Sequence, residues 1–341
     1  MDEKCIPGGA DEIQRRIEAA AAGGKVALAA GQYALSRSVS IDVPCLCLEG
    51  ESWCYSADPN GVFESYFGTK LRLSGEFPAV MVGEKALARG CEITRIGVQG
   101  NLLGMDTRPL FSGGGPSASC GVCFRHTRID QGEFSKLSFC GLAAGVRADG
   151  LAELDACVFE RCNFDGCANG VWFAPRASYY TLFRQCVMAD HPYYAIYADG
   201  TSGNIHNLRI VENTFVRDGG AFSDNSAFPP AAVCLKNIHD SQVQNNLFDN
   251  PGTFWYYPPD AKKNDERQIS RRSTCALLVY GNNNRIVGNT FLNSSGASIH
   301  VIGNGNIIMN NICDANILVE GEGNQLIGNA FTRPDARAVI R

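Results

Sequence analysis

The stretch Val146–Cys162, VRADGLAELDACVFERC, places four carboxylates, Asp149, Glu153, Asp155 and Glu160, in seventeen residues. Carboxyl groups acting in pairs break glycosidic bonds: one protonates the departing oxygen, the other serves as base or nucleophile. Glu160 follows Phe159, so if Phe159 packs inward, strand alternation turns Glu160 outward toward any groove. Asp149 closes the preceding strand just before Gly150. Glu153 and Asp155 are expected in the intervening turn, facing solvent. Asp149 and Glu160 are therefore the candidate catalytic pair, expected on neighbouring faces of a solenoid and able to converge at a bend. Arg147 and Arg161 are the cations in reach. The plain alternative is two exposed acids on a strand.

Other chemistries find less support. The sequence has no G-x-S-x-G, no H-E-x-x-H, no phosphate-binding glycine loop and no G-x-G-x-x-G opening a helix. His126, His191, His206, His239 and His300 are dispersed and form no spaced cluster. Asp165, Asp190 and Asp218 fall near equivalent corners, where calcium would need several carboxylates on adjacent rungs, but corners are also where solvated Asp belongs. Cys120 and Cys123 form the single C-x-x-C, with no second pair to complete a zinc site. No metal is assigned.

The elements that must position the acids are set by a repeat. ALLVYGNNNRIVGNTF (276–291), SIHVIGNGNIIMNNIC (298–313) and NILVEGEGNQLIGNAF (316–331) each read as strand, Gly turn, Asn, strand, then Asn-x-Phe or Asn-x-Cys. A period of about 20 residues built from short strands and Gly/Asn turns is the signature of a β-solenoid. The register runs back through VQNNLF, IVENTF, FRQCVM, FERCNF and FSKLSF, so positions 139, 164, 188, 215, 248, 291, 313 and 331 align as an interior ladder. The recurring Asn is expected to hold a left-handed corner, which its short side chain tolerates. The fold class is thus all-β, a parallel β-helix with one short N-terminal helix.

The whole chain, 1–341, is expected to be one domain. Residues 10–24 supply a helix, capped by Asp11 with Gln14 in the first turn and closed by Gly23-Gly24, that plugs the open end of the core. Rungs follow over 25–335. Two insertions interrupt them: a Gly/Ser/Pro-rich stretch near 102–120, and 251–275, where an aromatic-proline run precedes a charged one. Long inserts in compact repeats are functional loops or excursions. Trp255, Tyr256 and Tyr257 could stack on a sugar ring or pack on a neighbouring subunit.

Composition narrows the partners. With 45% hydrophobic residues and a net charge of -5, the chain can bury a large core and carries no basic footprint for nucleic acid or anionic membrane. No apolar run approaches a membrane span. Fifteen cysteines, an odd number, fit reduced, buried thiols and a cytoplasmic protein, and the acidic start MDEKCIPGG offers no export signal.

The stretch VRADGLAELDACVFERC resembles the segment that carries the catalytic acids in glycoside hydrolase family 91, the inulin fructotransferases and difructose anhydride hydrolases. The Asp-to-Glu spacing of that segment, eleven positions, equals that between Asp149 and Glu160. GQYALSRSVSIDVPCLCLEG (31–50), DPNG (58–61), SIHVIGNGNIIMNN (298–311) and ILVEGEGN (317–324) align in the same order. The sequence departs from the family where the Gly before Ala148-Asp149 is missing, where Arg161 separates Glu160 from Cys162, and in the aromatic insert at 254–257. The resemblance implies a right-handed β-helix of the pectate-lyase-like kind. It further implies Asp149 and Glu160 as an acid/base pair, a fructosyl-fructose substrate (an oligosaccharide or disaccharide), no cofactor, and a homotrimer with sites between subunits. Alternatives are a uronic-acid lyase or epimerase, which needs a basic groove and usually a cation, and a non-catalytic phage- or adhesin-type β-helix.

Overall fold

The computed structural model describes residues 5–6, 9–51, 53–56, 65–100, 111–112, 115–126, 128–219, 230–256, 268–271 and 275–341. Most of its strands stack as a parallel β-helix, pairing with their equivalents one rung below and above. Face 1 is an eleven-stranded sheet running from Val39–Ile41 to Ala338–Ile340, and face 3 an eleven-stranded sheet from Lys25–Leu28 to Gln325–Ile327. Face 4 belongs to a thirteen-stranded sheet whose stack starts at Cys5–Ile6 and ends at Ala330–Phe331. Face 2 lies between faces 1 and 3 in chain order. It has four strands, Arg128–Asp130, Glu153–Asp155, Ala177–Tyr179 and Asn204–His206. The rungs extend past the expected limit of 335, because Ala338–Ile340 adds a last face-1 strand beside Ile317–Glu320.

The interior ladder is the one the repeat predicts. Phe139, Phe164, Met188, Phe215, Phe248 and Phe291 pair in register down face 4, and all are buried. The phenylalanine rings on either side of Met188 stack, with centroids 4.9 Å apart for Phe139–Phe164 and 4.6 Å for Phe248–Phe291. A second column, Phe134, Phe159 and Phe183, stacks inside face 3. Each buried ring contributes on the order of 2 kcal/mol of apolar transfer free energy, so the stacks dominate cohesion between rungs.

The recurring asparagines behave differently from the expectation. The left-handed corner residues are those one position earlier, Lys136, Arg161, Gln185, Glu212, Asn245 and Asn310, with φ between 53° and 59°. Asn213, Asn246, Asn289, Asn311 and Asn329 instead turn into the stack and form an amide ladder. The backbone N–H and Nδ2 of Asn289 both donate to Asn311 Oδ1, at 3.0 Å each, while Nδ2 also reaches the Val243 carbonyl at 2.9 Å. A buried amide with every hydrogen bond made is the reason Asn recurs there.

The helix spans Gly9–Ala19, so Asp11 lies in its first turn rather than at the cap. Ile13 and Ile17 seal the end of the core, and Gln14 clamps the helix to the first face-1 strand by accepting from the Ser40 N–H at 2.7 Å. The insert at 251–275 contains an antiparallel ribbon, Thr253–Tyr256 with Gln268–Arg271, where a loop was expected. Much of the 102–120 insert lies outside the described residues. Among the described residues no helix is long and apolar enough to cross a membrane.

Candidate functional site

Asp149 directly follows the face-1 strand Ala144–Ala148, where the chain turns at Gly150 (φ 63°) toward face 2. Its N–H donates to Phe124 O at 3.0 Å, which fixes the residue on the sheet edge. Two guanidinium groups hold the side chain: Arg125 Nε donates to Oδ1 at 3.1 Å and Arg147 Nε to Oδ2 at 2.5 Å. Arg147 is held in turn by Nη1 donating to Ser117 O at 2.9 Å. A carboxylate fixed this way, with 18% of its side chain exposed, suits a base or the charge that stabilises an oxocarbenium-like centre.

Glu160 is brought elsewhere. It ends the face-3 strand Val158–Glu160, turned outward as alternation requires, with Arg184 Nη2 at 3.0 Å and Arg161 Nε at 3.7 Å. The expectation that Asp149 and Glu160 occupy neighbouring faces is corrected by the topology, because face 2 runs between them. Glu153 and Asp155 form that face instead of lying in a turn. Leu154 is buried between them, and the flanking acids pair with Arg176 and Arg128. Within one chain each candidate acid therefore answers to its own arginines. Arg161 touches Glu160 and Gln185, and Arg147 belongs to the Asp149 cluster. Trp255 and Tyr256 lie on the inserted ribbon, and Tyr257 lies outside the described residues.

Beside Asp149, face 1 carries features that the sequence reading missed. Trp172, Tyr194, Tyr197, Cys234 and Leu278 form a second buried cluster distinct from the central core. The Trp172 and Tyr197 rings stack at 4.3 Å and 20°. The available signal was a strand such as NGVWF or YAIYAD that is apolar on both sides, as a doubly covered sheet demands. Asp199 ends the second of these strands. It accepts from the Tyr197 hydroxyl and the Thr201 N–H, both at 2.8 Å, and faces Lys236 Nζ at 3.4 Å. Burial pushes this carboxyl up, but the Thr201 donors, the Tyr197 hydroxyl and Lys236 together hold it below the usual carboxylate range. Burial, then the hydrogen bond to Asp199, raise the Tyr197 phenol, so it stays a donor.

The corner acids are occupied. Arg217 grips Asp190 at 2.6 and 2.7 Å, and Asp218 accepts from His191 Nδ1 at 2.8 Å inside the protein, where burial raises its carboxyl. The thiols of Cys120 and Cys123 hydrogen-bond each other, which raises the first and lowers the second. Among the described residues no group of three or more His, Cys, Asp or Glu side chains is placed to hold a metal ion.

A stack of parallel rungs, each paired with its equivalents along three long sheets, defines a class, the parallel β-helices. Residues 144–333, more than half of the chain, match the model of the right handed beta helix region, and the chain belongs to that family. No curated protein matches it in sequence. Among solved structures it is similar to DFA-IIIase from Arthrobacter chlorophenolicus A6, with a TM-score of 0.67 and 16% identity over 96% of this chain and 81% of that one. A mutant of the same enzyme in complex with DFA-III gives 0.66 and 16% over 90% and 74%. ORF18 of Geobacillus virus E2 gives 0.54 and 15% over 97% and 58%. At such identities the likeness is one of fold.

Proposed function

We propose that the protein is a carbohydrate-active enzyme that cleaves a fructosyl-fructose linkage, hydrolysing a difructose anhydride or forming one from inulin-type fructan. The observation that carries this reading is Asp149, clamped between Arg125 and Arg147 on the outer edge of a β-helix that superposes on DFA-IIIase. In this reading Asp149 and Glu160 act as the two carboxyl groups, one protonating the departing oxygen and the other taking a proton from the attacking hydroxyl or water. The assembly we propose is a homotrimer. The Asp149 and Glu160 corners lie on different faces of one chain, so the Glu160 corner of one copy can approach the Asp149 corner of the next.

Purified protein is incubated with inulin, difructose anhydride III and polygalacturonate, and products are followed by chromatography. Fructosyl turnover is expected, and Asp149→Asn and Glu160→Gln each lower it by at least about a thousandfold. Co-expressing the two inactive variants restores roughly a quarter of the sites if each site is shared between copies in a closed ring. Unsaturated products from polygalacturonate would instead favour the lyase reading, and no product from any sugar removes the enzymatic one.

A further inference from the structure

One column of residues runs along the outer edge of face 1. Asp199, Lys236, Tyr280, Ile302 and Glu320 pair in register along it. Continuing the register Phe124–Ala148–Phe173–Ala198 by one position puts Arg125, Asp149 and Ala174 in the same column, ahead of Asp199. The Ala174 N–H donates to Ala148 O at 2.7 Å, which confirms the alignment. From Arg125 to Glu320, Ala174 is the one member with no side chain beyond Cβ, and a carboxylate stands on each side of it. Strands in a sheet lie about 4.8 Å apart, so the backbones of Asp149 and Asp199 are roughly 10 Å apart across the gap.

We propose that this notch is a subsite for one neutral sugar ring, with Asp149 on one wall, Asp199 on the other, Lys236 beyond it and Trp172 at its shoulder. The proposal rests on the carbohydrate reading above and adds Asp199 as a substrate-binding residue. Both walls are reachable, with 18% and 17% of the Asp149 and Asp199 side chains exposed. Each ionised carboxylate offers about four acceptor positions, and Asp199 spends some on Tyr197, Thr201 and Lys236, which leaves capacity for hydroxyl donors. The cations Arg125, Arg147 and Lys236 already compensate the two acids, so the notch demands neither a metal ion nor a strong anion. Fixed donors and acceptors set close together are what a polyhydroxylated ring matches, and Trp172, only 7% exposed, backs the notch rather than stacking on the sugar. Trp172 lies in the strand Asn169–Phe173, which Ala174 directly follows, and is steadied by its stack on Tyr197.

The test is binding, measured calorimetrically on the full chain with difructose anhydride III and separately with fructose, alongside turnover. Asp199→Asn is expected to weaken binding at least about tenfold, the loss typical of a hydrogen bond to a charged group. Ala174→Leu, which fills the gap, is expected to remove measurable binding while the melting temperature stays that of the wild type. If both variants bind and turn over like the wild type, the notch is not a subsite, and the fructosyl reading stands. If the wild type binds sugar through these residues without turning it over, the subsite stands and the reaction falls. If the wild type binds neither probe, the subsite falls too.

Discussion

The same corner slot is filled in two ways along the stack. In the rung that carries Asp149 and Glu160 and in the one after it, the slot holds Cys162 and Cys186, and from Asn213 onward it holds asparagine. The thiols make weaker links: Cys162 Sγ lies 3.5 Å from the Phe134 and Glu160 carbonyls and hydrogen-bonds the Cys186 thiol one rung on. Each asparagine depends on the next, since its N–H and Nδ2 both need the following Oδ1. A parallel ladder runs at the neighbouring corner through Asn284, Asn306 and Asn324. The thiol rungs therefore tolerate local change, and the amide rungs are bound into one cooperative block. The candidate site sits on the tolerant half.

The largest effect expected from this contrast is at Asn289. Asn289→Ala strands the Asn246 N–H and Nδ2 without their acceptor and the Val243 carbonyl without its donor. Buried groups left unpaired cost about 1–3 kcal/mol each, so urea denaturation should show a loss of roughly 3–5 kcal/mol. Cys162→Ala removes one sulfur atom and weak hydrogen bonds and should cost about 1–2 kcal/mol. Equal losses at the two positions would erase the distinction between the halves.

A smaller effect separates the halves by pH. The amide ladder has no titrating group, whereas Asp199, on the face-1 strand of the rung that carries the first ladder asparagine, is held ionised by its donors and Lys236. Its carboxyl titrates below the ordinary value of 3.8 in the folded protein. A depressed carboxylate contributes stability that is present above the unfolded value and is lost as the pH falls through the folded one. The wild type should thus melt a few degrees above Asp199→Asn near neutrality, with the gap closing below about pH 4. A gap that stays constant across that range would show that Asp199 contributes nothing through its charge.

How far the sequence could be read follows from the same chemistry. The Phe139–Phe331 column was legible because a large apolar side chain recurs at a fixed period, and packing leaves it no other place. The role of Asn289 was not, since asparagine serves equally in left-handed corners and in buried amide ladders, and only the hydrogen bonds tell which. Face 2 escaped notice because a three-residue strand with a single inward Leu154 looks like a charged turn. That short face is what separates Asp149 from Glu160. Asp199 was overlooked for a similar reason: Asp-Gly-Thr reads as a turn, and its alignment with Asp149 depends on rung register across fifty residues. The acids were legible as chemistry, but which of them stand together was a matter of topology.

The finest probe of the two halves is the reactivity of the thiols themselves. Burial pushes Cys157 up to about 12 and raises Cys162 as well, the latter aided by its hydrogen bond to Cys186. A thiol near 12 is ionised to only about one part in 100,000 at neutral pH, and burial adds steric protection. Iodoacetamide should therefore modify exposed Cys45 quickly and leave Cys157 and Cys162 untouched until the chain opens. Mass spectrometry of labelled peptides, timed against unfolding followed by circular dichroism, reads which opening is needed. Labelling of Cys162 in step with global unfolding means the thiol rungs and the amide ladder melt as one unit. Labelling that runs ahead of it means the rungs that carry Asp149 and Glu160 open alone, as expected where weak thiol contacts rather than amide hydrogen bonds join the corner slots of successive rungs.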